Sequence, residues 1–142
     1  MIVFFFKIRL TFWQLPHGDY DHAGAAINLI NNFKVKEVTF NCGGFNKLET
    51  ELISLLDKKN IEYYSCIKEL NIDGNKLQFL NTGIYDNENT NSSVIYLNYN
   101  NYKFLFMGDA SSEKEKDILG KYNLTNIDFL KVGHHGSNTS SS

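Results

Sequence analysis

Two spacings of apolar residues alternate along this chain. The opening stretch 2–13 is apolar and β-rich, which predicts a strand ending near Pro16. From Ala23 the rhythm changes. Ala23, Ala26, Ile27, Ile30 and Phe33 recur at helical intervals and predict a helix that starts directly after His22. Residues 35–40 read as a strand. Leu48, Leu52, Leu55 and Leu56 then mark one face of a helix over 46–59, and a short strand is expected at 61–65. Asp73-Gly74 lies between the apolar runs 67–72 and 77–80, a hairpin signal. Asn100-Asn101 lies in the same way between 94–99 and 102–106.

The polar stretch 81–91 predicts a loop. Ser112 and Glu115 have the spacing of a capping box at the start of a further helix. Residues 127–132 predict a last strand, followed by a polar tail. There is no internal repeat and no linker, so 1–142 reads as one domain.

Composition narrows this little. Hydrophobic residues make up 42% and aromatics 14%, enough for a core, so wholesale disorder is excluded. A net charge of −2 lacks the overall basic surplus of an obligate nucleic-acid binder. Cys42 and Cys66 are a widely spaced pair without a CxxC partner, and they read as small buried hydrophobes. The apolar start is short and is broken by Lys7 and Arg9, so it reads as a strand rather than a signal peptide or a transmembrane segment.

The chemistry is concentrated in two places. His17-Gly18-Asp19-Tyr20-Asp21-His22 holds four residues that bind metals, and Gly133-His134-His135-Gly136-Ser137 holds two more. All four histidines of the chain are in these stretches. Histidine and carboxylate suit zinc or manganese. Along an extended loop, residues i and i+2 point to one side, so His17 and Asp19 can face one ion. Asp21 and His22 can turn toward a second as the helix begins. Two ions about 3.5–4 Å apart need a bridging carboxylate and a closing histidine. Asp109 is the candidate bridge, and His134 or His135 the closing ligand. Each of these segments follows an expected strand, which would let them converge at one rim of the fold. Taken singly, each has a plainer reading: a turn for His-x-Asp, a helix cap for Asp109.

The order HGDYDHAG (17–24), Asn91-Ser92-Ser93-Val94, FLFMGD (104–109) and FLKVGHHGSNTSSS (129–142) resembles the metallo-β-lactamase superfamily. More narrowly, it resembles the extracytoplasmic hydrolase domain of ComEC-type competence proteins and their soluble relatives. The resemblance covers about 15–142. It implies an α/β (α+β) fold, the four-layer αββα sandwich, in an incomplete form truncated at both ends. It implies hydrolysis with one or two Zn2+ or Mn2+ ions. His17 and Asp19 would bind the first ion, and Asp21 and His22 the second. Asp109 would bridge, and His135, in preference to His134, would complete the second site. Asp21 and Asp109 would serve catalysis, and Asn91, Ser92 and His134 would face substrate.

The substrate implied is a phosphodiester, DNA above all, in connection with competence DNA uptake. The partners expected are therefore DNA or a small-molecule ester. Full-length relatives would be membrane-attached, and the setting extracytoplasmic or secreted. The alternatives are a metallo-hydrolase of a small phosphoester, thioester or lactone, and an inactive fragment that retains the motifs alone. The chain departs from the family pattern in having no histidine between His22 and His134, and in carrying Pro16 where the family favours serine or threonine.

Overall fold

The computed structural model describes residues 2–6, 9–15, 18, 20–72, 74–138 and 140, with the backbone alone for 2–6, 9–14, 21 and 22. Two sheets carry the fold. The first has the order β1 (Ile2–Phe6), β2 (Arg9–Gln14), β3 (Glu37–Phe40), β4 (Glu62–Ser65). The second has the order β5 (Glu69–Ile72), β6 (Asn75–Phe79), β7 (Ile95–Tyr99), β8 (Tyr102–Phe106), β9 (Phe129–Lys131). The helices are α1 (Tyr20–Ala23), α2 (Ala26–Asn32), α3 (Lys47–Lys59) and α4 (Ser112–Lys121).

The opening apolar run is two strands, not one. β1 folds back antiparallel on β2, pairing Ile2 with Gln14 and Phe6 with Arg9, with a bulge between Phe4 and Phe5. Lys7 and Arg9 interrupt the apolar run at the reversal, but no glycine, proline or asparagine marks a turn there. β2 then pairs parallel with β3, and β3 with β4. Parallel neighbours need crossovers, and the helices of 20–32 and 47–59 supply them. The core of this half joins Leu15, Val38 and Phe40 to Ala26, Ile30, Leu52 and Leu56 of the helices.

The expected helix after His22 begins earlier and is broken. α1 already contains Asp21 and His22, and it ends at Ala23; the N–H of Gly24 just past it donates to the Tyr20 carbonyl at 2.8 Å. Glycine is a poor helix former, and α2 restarts at Ala26. α3 follows its leucine stripe. Asn46 caps it, Glu49 sits in its first turn and Lys58 and Lys59 in its last, each favourable to the helix dipole.

In the second sheet both expected hairpins form. Ile72 pairs with Asn75, with Gly74 at a φ of 82° and Asp73 outside the described residues, and Tyr99 pairs with Tyr102. Asn100 and Asn101 both have positive φ, 50° and 67°, as a type I′ turn demands. One face of this sheet buries Ile72, Leu77, Phe79, Ile95 and Leu97. On the other, Val94, Leu105 and Met107 pack with Ile118 of α4. The layers thus run helix, sheet, sheet, helix. β9 is a parallel edge strand whose three residues are all exposed.

The helix after Asp109 is capped at Ser111, one residue before the expected box. The Ser111 carbonyl accepts from the N–H of Glu115, and its hydroxyl accepts from Thr90 Oγ1. Asp109 is therefore not the cap.

Cys42 and Cys66 form a disulfide, with Cα atoms 4.3 Å apart. The expectation of two separate buried thiols is corrected. β3 and β4 are parallel neighbours, so the residues just past their ends come together. Spacing along the chain carries no trace of that proximity.

Candidate metal centre

Three of the strands lead toward the candidate ligands. β2 leads to 17–22, β8 to Asp109, and β9 to His134 and His135. His17 and Asp19 lie outside the described residues, as do the side chains of Asp21 and His22, whose backbone is in α1.

Asp109 is buried, 3% exposed. The chain reaches it through Gly108, whose φ of +58° suits glycine. A Cβ at Gly108 would also press on the Ser92 hydroxyl and the Ser93 carbonyl, at 2.6 and 2.9 Å. The Asp109 N–H donates to Ser92 Oγ at 2.9 Å. The His134 N–H donates to the Gly108 carbonyl at 3.1 Å, which ties the histidine pair to the aspartate turn. Both His134 and His135 have positive φ, 42° and 54°, and their rings lie 6.4 Å apart.

Asp109 and His134 line one cleft of about 440 Å³ with Asn87, Asn89, Thr90, Ser111, Ser112 and Glu113. His135 is exposed beside it. Asn91 and Ser92 lie behind the cleft. The Asn91 amide exchanges two hydrogen bonds with the backbone of Tyr85, at 2.7 and 2.6 Å. Ser92 is fully buried; its hydroxyl serves Asp109 and its carbonyl accepts from Lys114 Nζ at 2.7 Å.

Sequence reasoning passed over three residues around this rim. Lys114 is 2% exposed, and burial pushes its pKa down from 10.5 to about 8. Glu88 accepts from the N–H of Gly18 at 3.4 Å. Asn46 donates to the carbonyl of Gly18 at 2.9 Å. Only Asn46 left a signal, because Asn-x-x-Glu before a leucine stripe is itself a capping motif.

Among the described residues no three metal-ligating side chains come together. The donor set still fits a metal: a buried carboxylate at a strand end shares its cleft with an imidazole, and both are borderline-to-hard donors.

Residues 15–142 match the metallo-beta-lactamase superfamily, and the chain belongs to it. It is also similar to two larger proteins. One is "ComE operon protein 3" of Bacillus subtilis (strain 168), 27% identical over 128 residues, covering 87% of this chain and 16% of that protein. The other is "Recombination protein 2" of Haemophilus influenzae, 30% identical over 137 residues, covering 90% of this chain and 15% of that protein. The chain spans about a sixth of the length of each.

Proposed function

We propose that this chain is a metal-dependent hydrolase domain that cleaves phosphodiester bonds, with DNA as its polymer substrate. One observation supports this most: buried Asp109 and His134 share a cleft, and the Gly108 carbonyl holds the His134 backbone. Similarity to a protein named for recombination favours a nucleic acid. The Cys42–Cys66 disulfide favours action in an oxidising, extracytoplasmic setting, where such bonds persist.

In this reading His17 and Asp19 would hold one ion and Asp21 and His22 the other, with Asp109 contributing to both. The histidine pair would close the site: His135 is the ligand the resemblance favours, and His134 lines the cleft beside Asp109. One or two Zn2+ or Mn2+ ions, when bound, supply Lewis acidity toward the phosphoryl oxygens and lower the pKa of the attacking water. Asp21 or Asp109 would be the base for a proton of the attacking water. Asn89, Thr90, Ser111 and Ser112 offer neutral hydrogen bonds to the substrate from the cleft wall.

The cleft wall also supports a second reading. Among the described residues it carries no lysine or arginine, and it includes Glu113, which favours a small phosphoester, thioester or lactone over a polyanion. The test is hydrolysis of single-stranded DNA, bis(p-nitrophenyl) phosphate and a lactone, each with Mn2+ and with Zn2+, against an Asp109→Ala blank. DNA cleavage lost in the blank supports the first reading. Turnover of the small esters alone supports the second, and no turnover with any of them contradicts both.

A further inference from the structure

Gly18 stands between His17 and Asp19, and both of its main-chain polar groups are held by side chains from distant segments. Its carbonyl accepts from Asn46 Nδ2 at 2.9 Å, and its N–H donates to Glu88 Oε1 at 3.4 Å. A Cβ at position 18 would collide with the Asn46 amide and the Glu49 carboxyl. The loop backbone therefore rests directly on the N-terminal cap of α3.

Asn46 does two things with one amide. Its Oδ1 accepts from the Glu49 N–H at 2.9 Å, while Glu49 Oε2 accepts from the Asn46 N–H at 2.8 Å. That is the complete capping box, and it uses only the acceptor. Serine, threonine or aspartate would cap as well. The amide's donor half is what these lack, and here it reaches the Gly18 carbonyl. The orientation of the amide is fixed by its partners, an N–H on one side and a carbonyl on the other. Capping accounts for the amide's acceptor; the donor half serves the Gly18 carbonyl.

We propose that Asn46 is a positioning residue for the metal loop, holding Gly18 so that the backbone presents His17 and Asp19, with Glu88 steadying the other side of the same glycine. This rests on the reading of 17–22 as metal-ligating. The peptide plane is rigid, so a hydrogen bond to the Gly18 carbonyl restrains the orientation of the peptide group that this carbonyl belongs to. Groups that orient metal ligands commonly weaken metal binding by about 10–100-fold when removed.

The test uses Asn46→Asp and Asn46→Ser in the full 142-residue chain. Both keep a cap acceptor and lose the donor to Gly18, and the serine variant adds no charge beside Glu49. Melting temperature is measured without metal, and Mn2+ affinity by calorimetric titration. The expected result is a metal-free melting temperature close to wild type with Mn2+ bound about tenfold more weakly. A lower metal-free melting temperature with unchanged Mn2+ affinity makes Asn46 a helix cap and nothing more, and overturns the proposal. Wild-type affinity and stability in both variants overturn it too. A wild-type chain that binds neither Mn2+ nor Zn2+ removes the metal reading itself, and the proposal with it.

Discussion

The main-chain N–H of Asp109 donates to the hydroxyl of Ser92 at 2.9 Å, and both residues are buried. The aspartate turn after β8 is thus anchored to the end of the loop that precedes β7. Lys114 completes the arrangement from α4 by donating to the Ser92 carbonyl. Three elements meet at one serine.

Ser92→Ala should show what this anchor contributes. It leaves a buried N–H without its acceptor, a loss of about 1–3 kcal/mol. Chemical denaturation is expected to show a drop in that range, together with weaker Mn2+ binding. An alanine variant as stable as the parent would mean that Asp109 is held by other contacts.

Lys114 makes stability depend on pH. Burial pushes its pKa in the folded state down to about 8 from 10.5. Between these values the unfolded chain binds more protons than the folded one, so stability rises with pH. Below about pH 8 both states carry the charge, and the full cost of burying it is present. The rise should be on the order of 3 kcal/mol. Tyr85 acts in the opposite direction above about pH 10, because burial and its hydrogen bond to Asp117 raise its pKa. Urea midpoints from pH 7 to 10 should climb in the wild type and stay flat in Lys114→Met. A flat wild-type profile would contradict the buried ammonium.

Much of this was legible in the sequence, and the residues show why. Local signals carried Asn100-Asn101, the leucine stripe of α3 and the strands before Asp109 and His134, because turn chemistry and side-chain periodicity act within a few residues. What stayed hidden depends on tertiary neighbours. Lys114 sits in the polar series Ser112–Lys121, where nothing marks one lysine as buried. Glu88 reaches Gly18 across 70 residues of chain. The reversal between β1 and β2 lies in a run without a glycine, proline or asparagine to announce it. The family motifs pointed to Asp109, Asn91 and Ser92 together; Asp109 lines the cleft, whereas Asn91 hydrogen-bonds the Tyr85 backbone and Ser92 the Asp109 N–H.

The disulfide should matter thermodynamically. It closes a loop between residues 24 positions apart, and loops of this size contribute about 3 kcal/mol by limiting the unfolded chain. Urea midpoints with and without dithiothreitol, and in a Cys42→Ser/Cys66→Ser double variant, should differ by that amount. Two thiols titrating in the unreduced native protein would contradict the pairing.

The central claim is that Asp109 belongs to a metal centre assembled with the 17–22 loop. The most direct measurement is the melting temperature of wild type and Asp109→Ala across a Mn2+ titration. An ion that binds only the folded state stabilises it in proportion to the logarithm of its concentration above Kd. The wild type should rise with Mn2+ and the variant should not. An equal rise in both would show that the ion binds without Asp109 and would contradict the claim.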